Sequence, residues 1–195
     1  ATEGAKSRLT KMGLDPNRIF SVGAPGLDNI INRRYTPKHK LLEKYNINHK
    51  NKLGLLVFHP VTSDVEESIE AMQTILDCIK RYDLQTFVVY PNADIGGRKI
   101  ISKIKEAEMS SSNIISRKNI PNEDFLGLMK ISDVMIGNSS SGIIESIPFA
   151  LPVVNVGPRN KDREKESNVI LVDYSPSSIE VGLNKALKDK AFIKS

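Results

Sequence analysis

Apolar and polar positions alternate in blocks along this chain. Short apolar runs are followed by stretches in which apolar residues recur at the spacing of a helical turn. Unbroken apolar runs of this kind are typical of parallel strands that are covered on both faces. Strands are therefore predicted at residues 19–22, 53–58, 86–90, 113–116, 133–136, 152–156 and 168–172.

The stretches between these runs predict helices. In the clearest of them, residues 65, 69, 72, 76 and 79 form one apolar stripe, and Ser63 and Glu66 before it have the spacing of a capping box. Further helices are predicted at residues 2–13, 37–45, 97–106, 124–130 and 176–188. The alternation predicts an α/β fold with a doubly wound parallel sheet, formed by residues 51–195 after an approach segment of residues 1–50.

In such sheets, ligands bind beyond the carboxyl ends of the strands. Several polar positions follow a predicted strand directly, and we expect them to converge on one rim. They are His59, Asn92, the loop 119–123, residues 138–141 and Arg159.

Residues 137–157 are the stretch around which the chain is organised. The apolar run 133–136 changes abruptly into Gly137, Asn138 and the serines 139–141, and a helical pattern then begins. A helix start presents unpaired backbone N–H groups and partial positive charge, so this stretch predicts a phosphate site at Ser139 and Ser140. The alternative is that the serines merely cap the helix.

Four other side chains could carry chemistry, and each has a plainer explanation. His59 could act as an acid or electrostatic partner, or be a hydrogen-bonded structural histidine. Glu145 could hold a ribose diol, or simply favour the helix dipole. Asn92 could contact a sugar or base, or belong to a turn. Arg159 could bind phosphate, or be a solvated loop arginine.

Composition excludes several classes of protein. The 195 residues are 39% hydrophobic with a net charge of +5, and no apolar run reaches membrane-spanning length. With no signal-peptide pattern, we expect a soluble, cytoplasmic protein that binds neither membrane nor nucleic acid. The single Cys78 excludes an internal disulfide and suits a core position, and we expect no metal and no cofactor. The absence of a Walker loop and of Gly-x-Gly-x-x-Gly weakens NTPase and dehydrogenase interpretations.

Four motifs, in their order and spacing, resemble the UDP-N-acetylglucosamine 2-epimerase family. They are His59-Pro60-Val61-Thr62-Ser63-Asp64, Pro91-Asn92-Ala93-Asp94, Gly137-Asn138-Ser139-Ser140-Ser141-Gly142-Ile143-Ile144-Glu145 and Pro152-Val153-Val154-Asn155-Val156-Gly157-Pro158-Arg159. The resemblance covers the whole chain, but only the C-terminal half of the family. The first motif resembles the hydrolysing branch, since the non-hydrolysing branch typically has His-Arg-Arg-Glu-Asn there.

The resemblance implies the C-terminal Rossmann-like domain of a two-domain, B-type glycosyltransferase fold, with the substrate between the domains. It implies that the enzyme converts UDP-N-acetylglucosamine to UDP and N-acetylmannosamine for sialic acid biosynthesis. UDP would leave first to give a 2-acetamidoglucal, and water would then add with inversion at C2.

The resemblance also implies roles for individual residues. His59 corresponds to the active-site histidine near the diphosphate, Ser139 and Ser140 to the phosphate-binding serines, and Glu145 to the ribose-binding carboxylate. Asn92 and Arg159 correspond to further positions that contact the substrate in the family. The backbone around Ile120 would face the uracil.

The catalytic carboxylates of the family come from the N-terminal domain, which this sequence lacks, so we expect the chain alone to be inactive. We expect UDP or UDP-N-acetylglucosamine as the ligand and a homo-oligomer at full length. Three alternatives remain open: a non-hydrolysing epimerase, the donor-binding domain of a glycosyltransferase, and a stand-alone nucleotide-binding module.

Overall fold

A six-stranded, all-parallel sheet organises the fold. The computed structural model describes residues 2–32, 34–48, 50–82, 84–189 and 192. The sheet has the order β3-β2-β1-β4-β5-β6, which is that of Rossmann-type domains. The strands are β1 (Lys52–Val57), β2 (Leu84–Val89), β3 (Ile114–Arg117), β4 (Val134–Gly137), β5 (Val153–Val156) and β6 (Val169–Val172). The predicted doubly wound parallel sheet is confirmed.

Helices connect the strands, as the alternating pattern predicts. They are α1 (Glu3–Lys11), α2 (Asp28–Ile31), α3 (Lys38–Tyr45), α4 (Val65–Ile79), α5 (Gly97–Ser110), α6 (Asn122–Ile131), α7 (Ser141–Ile144) and α8 (Pro176–Lys188). Three of the connections between consecutive strands contain a helix of ten residues or more, namely α4, α5 and α6. The connection after β4 contains only the four residues of α7 and a short 3₁₀ helix, Ile147–Phe149.

The sheet separates two hydrophobic cores, because successive side chains of a strand point to opposite faces. In β1, Leu56 belongs to the core formed with α4, α5 and α8. Its neighbours Leu55 and Val57 belong to the core formed with α3 and α6. Burial on both faces explains why the strands are almost continuously apolar. Cys78 lies in the first core with 1% of its surface exposed, as predicted.

A cluster of hydrogen bonds fastens α3 to the start of α6. Asp124, buried in the first turn of α6, accepts from the Thr36 hydroxyl at 2.5 Å and the Lys44 ammonium at 2.6 Å. The Tyr45 hydroxyl donates to the same carboxylate. Burial alone would raise the pKa of Asp124, but the hydrogen bonds from Lys44, Thr36 and Tyr45 hold it below its usual value. The cluster fixes the start of α6, whose first two residues, Asn122 and Glu123, belong to the stretch 119–123 that was predicted as a loop.

Two local predictions are wrong. The apolar run 19–22 forms no strand: Phe20 and Val22 are each more than three-quarters exposed, and no described strand lies beside them to complete a ladder. The cap of α4 is Asp64 and not Ser63, since the Asp64 carboxylate accepts the Glu67 N–H at 3.3 Å. The division of the chain at residue 50 stays a prediction, although Leu41 and Tyr45 of α3 pack into the second core.

Candidate functional site

The site lies where the strand order reverses, between β1 and β4. The chain moves outward from β1 through β2 to β3 and then returns to the other side of β1 as β4. Crevices at such reversals are the usual ligand sites of open parallel sheets. His59 follows the end of β1 by two residues, and Ser139 follows the end of β4 by two residues. The sheet topology therefore puts both predicted residues at this crevice.

Gly137 allows the two strand ends to approach each other closely. Its φ of +123° suits glycine, and a Cβ at this position would lie 2.1 Å from the Val57 carbonyl oxygen. The backbone N–H of the next residue, Asn138, donates to that same carbonyl at 3.1 Å. A larger residue at position 137 would separate the ends of β1 and β4 and widen the crevice.

His59 is held by both its main chain and its ring. The Asn138 amide forms hydrogen bonds of 2.8 Å with the His59 N–H and of 2.8 Å with the His59 carbonyl. The ring Nδ1 accepts the backbone N–H of Asn92 at 3.3 Å. Burial, and then the positive charge of Arg159, lower the pKa of His59, while Asp94 opposes them. The ring is therefore neutral at pH 7, with its proton on Nε2 and available for a ligand.

Arg159 reaches the same point from the end of β5. It lies in the short 3₁₀ helix Pro158–Asn160, and its Nη1 donates to the Asn138 carbonyl at 3.0 Å. Asn160 donates to this carbonyl at 2.9 Å and to the Asn155 Oδ1 at 2.8 Å. The guanidinium is thus anchored by one nitrogen, which leaves its other donors for an anion.

The serines form a single tight turn rather than the start of a long helix. Ser140 is the N-cap residue of α7, and α7 extends only from Ser141 to Ile144. The hydroxyls of Ser139 and Ser141 lie 2.8 Å apart. Within the described part of the chain, the backbone N–H groups of Ser139 and Ser140 donate no hydrogen bond. An anion would therefore be bound here by individual backbone N–H donors and not by a helix dipole, because a one-turn helix has little dipole.

Asn92 and Ile120 line one large cleft beside these groups. The cleft has a volume of about 1250 Å³ and lies over the carboxyl ends of β2 and β3. Tyr90, Phe125 and Ile120 supply apolar surface, while the loop 119–123 contributes to its rim. A planar ring and its sugar would fit such a mixed surface. The Asn92 side chain is exposed, and its backbone N–H connects the cleft to His59.

Glu145 is connected to the serine turn through its main chain, since its backbone N–H donates to the Ser141 carbonyl at 2.9 Å. It follows α7 directly, so it lies at the end of that short helix and not one turn inside a longer one. Its Oε2 is buried and has no hydrogen-bond partner among the residues that the structure describes. Burial raises the pKa of Glu145. A Cβ at Gly26 would lie 3.7 Å from the Glu145 Oε1, so Gly26 lies next to this carboxylate.

The structure brings together His59, Asn92, Ser139 and Arg159 around Asn138, and it puts Ile120 in the adjoining cleft. Neither Asn155 nor Asn160 was predicted as a site residue, but each is 1% exposed and together they connect β5 to this cluster. A polar residue inside the otherwise apolar run 153–156 is the one signal that could have identified Asn155.

The described residues contain no group of three or more His, Cys, Asp or Glu side chains that could hold a metal ion. None of the helices in those same ranges has the length and apolar character needed to cross a membrane.

The family profile and the curated relatives that match this chain agree with each other. The profile of the UDP-N-acetylglucosamine 2-epimerase family matches residues 1–195. A Legionella pneumophila protein described as UDP-N,N'-diacetylbacillosamine 2-epimerase (hydrolyzing) is 38% identical over 96% of this chain and 49% of its own length. The Escherichia coli polysialic acid biosynthesis protein P7 is 32% identical over 99% of this chain and 49% of its own length. The chain thus spans about half the length of the curated relatives it matches.

A solved structure extends the likeness to the fold. The Neisseria meningitidis UDP-GlcNAc 2-epimerase, determined with UDP-GlcNAc bound, superposes with a TM-score of 0.81. The match covers 99% of this chain and 53% of that protein, at 16% sequence identity.

Proposed function

The chain belongs to the UDP-N-acetylglucosamine 2-epimerase family, and on this premise we propose that it is the UDP-binding half of a hydrolysing 2-epimerase. The intact enzyme would convert UDP-N-acetylglucosamine to UDP and N-acetylmannosamine, the sugar needed for sialic acid biosynthesis. One observation carries the proposal. His59, Arg159 and the backbone N–H groups of Ser139 and Ser140, which donate no hydrogen bond within the described ranges, lie at the crevice between β1 and β4.

These groups could bind a nucleoside diphosphate while its bond to the sugar breaks. Two backbone N–H donors and a guanidinium anchored at one nitrogen offer several hydrogen bonds to phosphate oxygens. The neutral His59 ring offers a further donor at Nε2, where negative charge grows as the bond to the sugar breaks. These residues would bind the diphosphate and stabilise its departure.

The adjoining cleft would hold the nucleoside. The backbone around Ile120 would face the base, and Asn92 would contact the substrate beside His59. The buried Glu145 carboxylate has an unpartnered oxygen that could accept hydrogen bonds from a ribose diol. The proton at C2 of the sugar would be removed by groups outside this chain, as the resemblance to the family implies.

The name of the Legionella relative suggests a second candidate substrate, UDP-N,N'-diacetylbacillosamine. The Legionella relative is named for UDP-N,N'-diacetylbacillosamine, which, like UDP-N-acetylglucosamine, is a UDP-linked 2-acetamido sugar. The polysialic acid relative is consistent instead with N-acetylmannosamine as the product. Both reactions share the elimination of UDP and inversion at C2, so the same residues of this chain would serve either.

One assay distinguishes these possibilities. The intact protein is incubated with each UDP-sugar alone, and products are identified by NMR and chromatography. Release of UDP with the free 2-epimer supports the proposal, and the faster substrate identifies the sugar. A UDP-linked epimer would indicate the non-hydrolysing reaction, and activity only with an acceptor sugar would indicate a glycosyltransferase. UDP binding without turnover would favour a nucleotide-binding module.

The predictions of a cytoplasmic location, a homo-oligomer and no nucleic-acid partner stay predictions. Cell fractionation, light scattering on the purified intact protein, and an electrophoretic mobility assay would test them.

A further inference from the structure

Each polar group of Asn138 forms a hydrogen bond, although the side chain is fully buried. It is 0% exposed, and its backbone N–H donates to the Val57 carbonyl. Its carbonyl accepts from the Arg159 guanidinium and from the Asn160 amide. Its side-chain amide forms both of its hydrogen bonds with His59 alone. The residue therefore connects the ends of β1, β4 and β5 at one point.

The two side-chain bonds replace a missing strand ladder. β1 ends at Val57, so His59 has no strand partner for its main chain, and Pro60 after it has no N–H to donate. The Asn138 amide supplies an acceptor for the His59 N–H and a donor for the His59 carbonyl, at 2.8 Å each. An amide offers this pair in one flat group, whereas a carboxylate has no donor.

Fixing this main chain also fixes the ring. The Nδ1 of His59 accepts the Asn92 N–H across 3.3 Å, a distance close to the limit of a hydrogen bond. A shift of the His59 backbone by a fraction of an ångström would break this contact. The ring could then rotate, and Nε2 would no longer point in one direction.

We propose that Asn138 is a positioning residue, which holds the His59 main chain so that the imidazole Nε2–H faces the departing diphosphate. This inference rests on the proposed function for the role of His59, but not for the geometry. Asn138 acts through His59 and does not touch the substrate.

The variants are chosen to separate positioning from general stability. Asn138→Leu keeps the approximate shape and removes both bonds, while Asn138→Ala removes them with a smaller side chain, and neither variant adds a charge beside His59. The control is Asn168→Leu. Asn168 is also buried, and its amide donates at 2.9 Å to Ser146 Oγ and at 2.8 Å to the Leu151 carbonyl. It directly precedes β6, so it lies at the amino ends of the strands, whereas the crevice lies at their carboxyl ends.

A double-mutant cycle in the intact enzyme is the first test. We expect Asn138→Leu to lower kcat by about 10²-fold, as loss of a catalytic acid–base group does, with a smaller change in KM. Adding it to His59→Ala should lower kcat no further, because the group through which it acts is already absent. Asn168→Leu should leave kcat within about threefold of the wild type. Additive effects of Asn138→Leu and His59→Ala would overturn the proposal.

A second test needs no activity. The His59 ring of the intact protein is titrated by histidine side-chain ¹H–¹⁵N NMR, with Arg159 and Asp94 as the charged groups that face it. In Asn138→Leu the His59 pKa should rise towards its ordinary value, because a ring that can turn towards solvent is less desolvated. If the leucine variant does not fold, Asn138→Ala, which also removes both bonds and adds no charge, should give the same rise. In Asn168→Leu the curve should match the wild type. An unchanged His59 curve in the Asn138 variants would overturn the proposal, whereas an inactive wild type would count only against the proposed function.

Discussion

At the residue scale, His59 has only one ring nitrogen left for a ligand. Its Nδ1 is occupied by the Asn92 N–H, and burial together with Arg159 lowers its pKa. We therefore expect His59→Ala in the intact protein to lower kcat by about 10²-fold or more while UDP affinity changes much less. Steady-state kinetics and calorimetry measure the two effects separately. Unchanged turnover would make His59 a structural histidine.

Glu145 is buried, and its Oε2 has no hydrogen-bond partner in the part of the chain that the structure describes. This predicts opposite effects on stability and binding. Because burial raises the pKa of this carboxyl, its ionised form destabilises the fold as the pH rises above the unfolded value of about 4.3. Glu145→Gln should therefore stabilise the free chain at pH 7 by about 0.5–2 kcal/mol. It should also weaken UDP binding by about tenfold or more, through loss of a charged acceptor.

Chemical denaturation at pH 7 and at pH 4, with calorimetric titration of UDP, tests this prediction. The stability difference should shrink at pH 4, where the wild-type carboxyl is protonated. A variant that is less stable than the wild type at pH 7, with unchanged UDP affinity, would contradict both parts.

At the scale of elements, the turn before α7 predicts a role for backbone rather than hydroxyl groups. Ser140 has a φ of −64°, which a proline can adopt, and its N–H donates no hydrogen bond within the described residues. Ser140→Pro should therefore remove one anion donor without unfolding the turn. We expect it to weaken UDP binding about tenfold or more, since a hydrogen bond to a charged group contributes about 1.5–3 kcal/mol.

Ser140→Ala is the matched variant, because it keeps the N–H and removes only the hydroxyl. It should weaken UDP binding a few-fold at most, and the double alanine variant at Ser139 and Ser140 should also retain part of the affinity. Circular dichroism confirms that each variant is folded. Equal losses for proline and alanine would count against binding by the backbone donors.

The contact between α3 and α6 predicts acid sensitivity. The pKa of Asp124 is below its usual value, so its contribution to stability is present above the unfolded pKa of about 3.9 and is lost as the pH falls through the folded value. Asp124→Asn should lower the free energy of unfolding by about 1–3 kcal/mol at pH 7, because donors of Lys44 and Tyr45 lose their acceptor.

Urea denaturation between pH 7 and pH 2 measures this difference, which should decrease as the pH falls below the unfolded pKa of Asp124. Asp162→Asn, in an exposed loop, is the control and should leave stability within about 0.5 kcal/mol of the wild type. A constant difference at every pH would show that the Asp124 charge is not responsible.

At the scale of the whole molecule, we expect residues 1–195 to fold and bind UDP but not to catalyse epimerisation. Two cores on either side of a six-stranded sheet are sufficient for independent folding. Elimination needs a base placed against the C2 proton to within about an ångström, and an open crevice admits water instead. UDP should also bind more weakly than to the intact protein, since one side of the ligand stays solvated.

Calorimetry with UDP and chromatography for N-acetylmannosamine test the isolated chain. The intact protein, assayed in parallel, is the reference for both measurements. Sustained release of the sugar at the intact protein's rate would require a complete acid–base set within this chain and would refute the two-domain mechanism.

The sequence by itself determined the parallel sheet, most of its helices and the positions that follow its strands. These features depend on local burial and turn chemistry: the run 53–58 is apolar because both of its faces are covered, and Gly137 marks a close approach. His59 and Arg159 were predicted at the rim for the same reason. The motifs around them also sufficed to indicate the family.

The tertiary structure alone decided which partners these residues have. Asn138 and His59 are 79 positions apart, and their hydrogen bonds depend on the pairing of β1 with β4, which periodicity does not encode. The same is true of Asp124 and Thr36, which are 88 positions apart. The run 19–22 is the opposite case, because its apolar pattern favours a strand but a strand forms only where a neighbour completes its hydrogen bonds.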